Sequence, residues 1–144
     1  MSGRNYSKKR EAILEKLQST TSHPTAEWIY HELKTDFPKI SLATVYRNLK
    51  QFRDDGEILS LGQVQGKERF DATTSRHDHF ICETCAVIID IPVDALGRDS
   101  SDCRDNRDGG TVCAEASIQL DPSLGFTVAR QQTTYFGKCN TCTS

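Results

Sequence analysis

The sequence lacks any long hydrophobic run, and it opens with ten mostly polar and basic residues. A membrane-spanning helix needs about 18 consecutive apolar residues, and a secretory signal needs an apolar segment behind its positive end. Apolar residues make up 36% of the 144-residue chain, which suffices for a modest core and excludes a fibrous or wholly disordered protein. We therefore expect a soluble, cytoplasmic protein that makes no contact with a membrane.

Cysteine is absent from the first 81 residues, and histidine is absent from the last 65. The charge is divided as well, because the net charge of −2 combines +3 over residues 1–70 with −5 over residues 71–144. Such asymmetry indicates two units with different tasks. We predict one domain over residues 1–72 and a second over residues 73–144.

The first half carries three segments in which apolar residues recur at helical spacing. Thr25 and Ser41 precede the second and third segments and are predicted to be their N-caps, and Gly56 marks the end of the third. Beyond Gly56 the apolar period changes to two, which predicts a hairpin whose loop is Gly62–Gly66. This order of elements is typical of a winged helix-turn-helix domain.

The second half is predicted to consist of short strands, so the fold class is α+β. The strands are expected at His79–Cys82, Val87–Ile91, Ile118–Leu120, Phe126–Ala129 and Thr134–Phe136. Residues 93–113 are dense in Asp, Arg, Ser and Gly, a composition that predicts a mobile loop.

The polar face of the third helix carries side chains suited to DNA. They are Thr44, Tyr46, Arg47, Asn48, Lys50 and Gln51. Arginine can donate two hydrogen bonds to guanine, Asn and Gln can pair with adenine, and a helix of this size fits the major groove. Phosphate contacts are expected from Lys8, Lys9, Arg10, Lys67 and Arg69. The alternative is an ordinary solvated face, with Tyr46 in a packing role.

Two pairs of cysteines have the spacing of a zinc site. Cys82 and Cys85 form one pair, Cys139 and Cys142 form the other, and 53 residues separate the pairs. Two intervening residues let both thiolates of a pair turn toward one ion, and four thiolates complete a tetrahedral structural Zn²⁺ site. The alternative is a thiol oxidoreductase that uses the pairs as redox-active disulfides, although neither pair lies in a thioredoxin-like βαβ context.

The other two cysteines, Cys103 and Cys113, have nine residues between them and match no ligand spacing. Free thiols and a reversible disulfide both remain open. Calcium binding in this loop is not expected, since Arg104 occupies the first ligand position of the calcium-loop pattern.

A second cluster combines imidazoles with carboxylates. His77 and His79 would share one face of a strand, and Asp71 and Asp90 add oxygen ligands. This set suits Fe²⁺ or Mn²⁺ rather than the ions that prefer thiolates. From spacing alone, surface histidines are the alternative.

Taken together, these motifs resemble the ferric uptake regulator family. The matching segments are the winged helix with Ser41–Leu49, then Arg69–Asp71, His77–Cys82 with Cys85, and Tyr135–Cys139 with Cys142. Within that family, His23–Ala26 and Asp71 are most similar to the peroxide-sensing repressors, since the iron-sensing branch often has glutamate at the position of Asp71.

The resemblance implies a homodimer on a palindromic double-stranded DNA operator, with an α/β dimerisation domain after the winged helix. It also implies a regulatory Fe²⁺ or Mn²⁺ site formed by His23, Asp71, His77, His79 and Asp90. His23 belongs to the DNA-binding unit, so one ion would lock the two units in the arrangement that binds DNA. The polar loop at residues 93–117 stands where the family has a helix of the dimer interface.

Similarity to the peroxide-sensing branch further implies how the repressor would respond. Hydrogen peroxide would react at the iron, and His23 and His77 would be oxidised to 2-oxo-histidine, so that metal and operator are released. This is a single-use modification rather than turnover, and we do not expect an enzyme. The alternative within the family is a regulator that responds to the supply of iron, manganese or zinc.

Overall fold

The computed structural model describes residues 8–92, 103–105, 111–113, 122–126 and 132–143. Three helices come first: α1 is Lys8–Gln18, α2 is Ala26–Leu33 and α3 is Leu42–Asp54. The strands are β1 Leu59–Val64, β2 Lys67–Asp71, β3 Asp78–Cys82, β4 Ile88–Ile91, β5 Cys103–Asp105, β6 Thr111–Cys113 and β7 Thr134–Gly137, with a short 3-10 helix at Pro122–Leu124. Helices followed by small sheets confirm the predicted α+β class.

Both predicted N-caps are present. The Thr25 hydroxyl accepts a hydrogen bond from the Trp28 N–H at 3.1 Å, and the Ser41 hydroxyl accepts one from the Thr44 N–H at 3.2 Å. Each bond satisfies one of the backbone donors that the first turn of a helix leaves unpaired. The chain leaves α3 at Gly56, whose φ of 76° is easily adopted only by glycine.

The three helices pack around one apolar core. The β1–β2 hairpin, which is the wing of the domain, completes this core. Its largest buried members are Ile13, Leu17, Ile29, Ile40, Leu49, Phe52, Ile58 and Phe70. Phe70 comes from β2, so the hairpin is attached to the helices through the same core. The helical spacing of apolar residues in the sequence therefore predicts α1, α2 and α3 correctly.

The hairpin turn is tighter than predicted. β1 and β2 pair antiparallel as far as Val64 and Lys67, so the expected five-residue loop Gly62–Gly66 is wrong and the turn is Gln65–Gly66. Both turn residues have positive φ, 51° and 79°. Two-residue turns of this kind match the right-handed twist of the flanking strands, which explains why pairing continues to the tip.

The second sheet has the order β4-β3-β7, with β3 antiparallel to β4 and parallel to β7. The predicted strands at these three places are confirmed within one residue at each end. Because β3 is central, four of its five residues are buried, including Asp78 and His79. A described helix that is long and apolar enough to cross a membrane is not found.

Residues 93–113 were predicted to form a loop throughout, but they contain two short strands. β5 and β6 form an antiparallel hairpin in which Cys103 is the register partner of Cys113. The side chains of both cysteines lie outside the described part of the chain, so free thiols and a disulfide both stay predictions. The predicted strand Ile118–Leu120 and most of Phe126–Ala129 also lie outside it, and Phe126 itself is not in a strand.

Candidate metal centres and nucleic-acid interface

Five side chains from distant parts of the sequence converge on one point. His23 comes from the loop between α1 and α2, Asp71 ends β2, His77 and His79 flank the start of β3, and Asp90 lies in β4. One nitrogen or carboxylate oxygen from each lies within 4.8 Å of all the others. The pairing of His79 with Asp90 in the β3–β4 register explains how Asp90 reaches this cluster.

Asp71 Oδ2 is the oxygen on which the imidazoles converge. It lies 2.8 Å from His77 Nε2, 3.0 Å from His79 Nε2 and 3.5 Å from His23 Nε2. Asp90 Oδ1 faces the same three nitrogens, at 3.4 Å from His77 and His79 and 2.7 Å from His23. His23, Asp71 and His79 are buried, with 6% exposure or less.

Two of these atoms are buried without a hydrogen bond among the described residues. They are His23 Nε2 and Asp90 Oδ1, which lie 2.7 Å apart but are not aligned to share a proton. An unsatisfied buried polar atom costs about 1–3 kcal/mol, so such a pair is uncommon in a folded protein. A divalent cation between them would accept both lone pairs. The residues therefore fit an ion such as Fe²⁺ or Mn²⁺, which takes imidazole and carboxylate ligands.

The charges of the cluster are strongly coupled. Burial alone would raise the pKa of Asp71, but the facing His23 imidazole, together with hydrogen bonds from His79 and the Thr73 N–H, holds it well below its usual value. Burial alone would lower the pKa of His23 and His77, yet the facing carboxylates of Asp71 and Asp90 raise that of His23, and the Ser75 carbonyl with the same carboxylates raises that of His77. Metal ligation needs the neutral imidazole, so an ion at this cluster would compete with protons for the ring nitrogens.

Outer contacts orient two of the rings. His77 Nδ1 donates to the Ser75 carbonyl at 2.7 Å, and Gln132 lies 3.3 Å from His79 Nδ1. An acceptor at Nδ1, which the Ser75 carbonyl provides for His77, fixes the tautomer whose Nε2 lone pair is free for a metal, as in many protein metal sites. Sequence reasoning missed Ser75 and Gln132. Neither is a candidate metal ligand, and only the fold brings them to the rings.

The four cysteines of the predicted zinc site also converge. Their sulfurs lie within 4.8 Å of one another, and all four are free thiols. β3 and β7 run parallel with Cys82 opposite Gly137, so the two Cys-x-x-Cys turns leave the sheet side by side. Four sulfurs around one point fit a closed tetrahedral Zn²⁺ site, which is structural because no position stays open for a substrate.

Backbone donors prepare this site for an ion. The pKa of the Cys82 thiol is lowered to about 6, first by the backbone N–H of Cys85 and then by that of Cys139, which lies 3.3 Å from the sulfur. The pKa of Cys142 is raised to about 12 by its neighbouring sulfurs, above all Cys139. Four such thiols cannot all ionise without a cation, whose charge removes that repulsion.

The six residues predicted to contact DNA lie along α3 in different states. Arg47 is exposed, and Tyr46, 40% exposed, donates its hydroxyl to Glu27 at 3.1 Å. Three others are engaged within α3 or at its end: Asn48 with the Thr44 carbonyl, Lys50 with Asp54 and Gln51 with Asp55. Thr44 exchanges a 2.8 Å hydrogen bond with the cap Ser41. The exposed side of the helix is thus polar, as expected.

Two of the residues expected to contact phosphates, Arg10 and Arg69, have partners inside the molecule. Arg10 bonds to Asp55 and Glu57 and lies 4.1 Å over the Phe52 ring. Arg69 donates to backbone carbonyls of the α1–α2 loop. His31 is exposed on α2 and lies outside the cluster.

Comparison with solved structures finds the same fold in two ferric uptake regulators. The ferric uptake regulator of Helicobacter pylori, described as having three functional metal binding sites, aligns with a TM-score of 0.69 and 21% identity, over 96% of this chain and 81% of that one. The Vibrio cholerae ferric uptake regulator aligns with a TM-score of 0.62 and 27% identity, over 92% and 90%.

Comparison of sequences identifies the family. The peroxide-responsive repressor of Staphylococcus aureus is 48% identical over 81 residues, which are 56% of this chain. The chain spans about half the length, 55%, of that curated relative. The model of the ferric uptake regulator family matches residues 1–112, well over half of the sequence. The chain therefore belongs to the ferric uptake regulator family.

Proposed function

We propose that this protein is a metal-dependent, DNA-binding transcriptional repressor that senses hydrogen peroxide through oxidation of its own ligand histidines. The observation that carries the proposal is the convergence of three imidazoles and two carboxylates, three of them on buried residues, in which His23 Nε2 and Asp90 Oδ1 have no hydrogen-bond partner in the described part of the chain. The 48% identical relative is named a peroxide-responsive repressor, which supports the same response here.

The proposed division of labour follows a boundary between residues 72 and 73. His23 and Asp71 come from the DNA-binding unit, and His77, His79 and Asp90 come from the second unit, which would also form the homodimer. An ion held by all five favours only the arrangement in which the two units meet, so it shifts the population toward the state that binds the operator. The dimer would occupy a palindromic operator in the cytoplasm.

The chemistry of the response lies at two imidazoles. Fe²⁺ would supply the reaction that turns hydrogen peroxide into an oxidant, whereas Mn²⁺ would support repression without it. His23 and His77 would each gain one oxygen atom, the rest of the peroxide leaving as water, to give 2-oxo-histidine. A modified ring no longer offers the same lone pair, so the metal is lost and the units separate. Each molecule reacts once, and we therefore propose no enzyme.

The recognition element in this proposal is α3. We propose that Thr44, Tyr46, Arg47, Asn48, Lys50 and Gln51 contact the operator, with Arg47 the best placed for base contact because it is exposed. The contacts of Asn48, Lys50 and Gln51 with neighbouring residues would be exchanged for contacts with DNA. Zn²⁺ at Cys82, Cys85, Cys139 and Cys142 would serve the fold only.

The decisive experiment exposes the Fe²⁺-loaded protein to hydrogen peroxide. Peptide mass spectrometry then follows each histidine, and a gel-shift assay uses a duplex selected by the Mn²⁺-loaded protein from a random-sequence pool. We expect DNA release together with a one-oxygen gain at His23 or His77. The exposed His31 is the internal control and should stay unmodified, as should all histidines of the Mn²⁺-loaded protein.

Other outcomes identify the alternatives. Unmodified histidines, with DNA binding that simply follows the concentration of Fe²⁺, Mn²⁺ or Zn²⁺, would contradict peroxide sensing and support a regulator of metal supply. A thiol oxidoreductase would be indicated by four thiols that titrate equally with and without a zinc chelator.

A further inference from the structure

Arg69 connects strand β2 to the loop that carries His23. Its Nε donates to the carbonyl of His23, and its Nη2 donates to the carbonyl of Ser22 at 3.0 Å. The N–H of the next residue, Phe70, donates to the carbonyl of Pro24 at 3.1 Å. Three consecutive carbonyls of the loop are thereby attached to two consecutive residues of the strand.

The loop needs such an attachment because of its conformation. His23 has a φ of 52°, in the left-handed region that residues other than glycine seldom occupy. Its side chain is 2% exposed, and its Nε2 lies 2.7 Å from Asp90 Oδ1. Such a backbone conformation persists only where surrounding contacts hold it. The described donors to the His23 and Ser22 carbonyls come from one side chain, that of Arg69.

The same strand carries a metal ligand. Asp71 lies two residues beyond Arg69, so both belong to one face of β2 by the alternation of strand side chains. The guanidinium presents its donors in a rigid planar fork, which can fix two carbonyls in one geometry where a lysine ammonium would fix a single point. One short piece of strand thus sets the position of His23 relative to Asp71.

We propose that Arg69 is a positioning residue of the regulatory metal centre: it holds the His23 backbone so that the imidazole meets Asp71 and the ligands of the second unit. The inference rests on the proposed function in one respect, that the five-residue group binds Fe²⁺ or Mn²⁺. Arg69 touches no metal and acts through His23 alone.

The first test measures Mn²⁺ affinity in the zinc-containing protein by electron paramagnetic resonance. Removing an outer partner of a ligand typically weakens metal binding by about 10–100-fold, which is what we expect for Arg69→Met. Arg69→Lys should recover part of that loss. The matched control is Arg53→Met, which removes an arginine paired with Glu68 of the same strand at 3.3 Å and should leave the affinity unchanged.

A double-mutant cycle separates positioning from general damage. If Arg69 acts through His23, Arg69→Met should change the Mn²⁺ affinity by less than about 2-fold once His23→Ala is present. The proposal would be overturned if the fold-losses of Mn²⁺ affinity in the two single variants multiplied fully in the double variant. It would also be overturned if Arg69→Met alone left the Mn²⁺ affinity unchanged. Zinc content and melting temperature confirm that each variant is folded.

The second test needs no regulatory metal. The protein used contains zinc but no regulatory metal. Amide hydrogen exchange of residues 19–25 and 70 should be faster in Arg69→Met than in the wild type or in Arg53→Met. Unchanged exchange overturns the role of Arg69, whatever the metal result. Wild-type protein that binds no Mn²⁺ contradicts the proposed function instead, and with it the ligand role of His23.

Discussion

His23 decides whether the metal centre can join two parts of the molecule. It is the member of the cluster that comes from the helical half ahead of the wing, and its Nε2 is buried without a hydrogen bond among described residues. The metal-free cluster therefore leaves a free-energy cost at this ring that an ion would remove. The His23 ring is also a proposed site of oxidation. Peroxide would therefore remove the ligand that connects the helical half to the rest of the metal site.

Replacing His23 by alanine should separate metal binding from folding. His23→Ala removes one ligand outright, and we expect Mn²⁺ affinity to fall by more than the roughly 100-fold that bounds the loss of an outer partner. The peroxide response should disappear with it. The zinc-containing variant should still melt cooperatively, so that the loss of Mn²⁺ affinity is not a loss of folding.

His31→Ala is the control for this prediction. His31 is exposed on α2 and lies outside the cluster, so its removal should leave metal binding and the peroxide response intact. A normal peroxide response in His23→Ala would contradict the assigned role of His23. Isothermal titration with Mn²⁺, beside the gel-shift assay, distinguishes these outcomes.

The ligand residues differ in how far the sequence could predict them. His77, His79 and Asp71 lie within nine residues, so local spacing alone made them candidates. His23 lies 48 residues before Asp71, and no periodicity links them; only the resemblance to a family supplied it. The sequence predicts Arg69 as a phosphate contact. Its position on a wing strand does not indicate that two loop carbonyls lie within reach of the guanidinium.

At the scale of elements, the start of α3 depends on its N-cap. Ser41 accepts from the Thr44 N–H at 3.2 Å and shares a hydrogen bond with the Thr44 hydroxyl at 2.8 Å. We expect Ser41→Ala to lower the free energy of unfolding by about 1 kcal/mol, the usual value for a lost cap. Ser41→Asp should remain close to wild type in the same urea titration. An unchanged stability in Ser41→Ala would mean that tertiary packing alone sets the start of this helix.

The exposed face of α3 gives a prediction about DNA. Arg47→Ala should weaken binding to the selected duplex by about 1–3 kcal/mol and relax preference at one base position, as expected for a base-contacting arginine. Lys50→Ala should weaken binding to all sequences similarly and reduce the salt dependence. Fluorescence anisotropy with the selected duplex and a scrambled duplex checks both. Equal losses on both duplexes for Arg47→Ala would place it at a phosphate instead.

Element positions were predictable where local chemistry determines them. Ser41, Thr25 and Gly56 mark helix ends through side-chain bonding or a backbone preference, and each was found where predicted. The hairpin turn was misplaced because Gln65 adopts a positive φ, which no propensity of glutamine announces. The β5–β6 hairpin was missed because its strands have three residues each, too few to show a period.

At the scale of the whole molecule, Cys139 and Cys142 meet Cys82 and Cys85 where β3 and β7 end. Cys142→Ser removes one of four ligands, and a structural zinc site contributes directly to folding. We expect zinc content to fall from one ion per chain toward none and the melting temperature to drop. Metal analysis by mass spectrometry and a thermal melt check this.

Cys103→Ser is the matched control for the zinc prediction. It removes a thiol of the β5–β6 hairpin and should leave the zinc content unchanged. Zinc retained at full occupancy in Cys142→Ser would contradict the four-thiolate assignment. A melting temperature unchanged after complete zinc loss would contradict its structural role.

The predicted division into two units rests on a division of charge and of residue types, with histidines ahead of cysteines. Local spacing alone does not predict that the five-residue cluster gathers around this predicted boundary, which only the resemblance to a family implied. That follows from the short connection between Asp71 and His77, which places the end of the wing beside the start of β3. The charge pattern describes each unit, whereas contact between them depends on the path of the chain.

Strand β3 has one further consequence. It ends at Cys82 and carries His79 three residues earlier, about 10 Å away, so a single rigid strand belongs to both metal sites. β7, which precedes the second cysteine pair, also follows Gln132, the partner of the His79 ring. If binding at one cluster strengthens binding at the other through this strand, thermodynamic reciprocity requires the reverse effect to be equally large. Zinc affinity measured with and without Mn²⁺, and Mn²⁺ affinity measured with and without zinc, would then change by the same factor, and a thiol-reactive compound that removes zinc would also weaken Mn²⁺ binding.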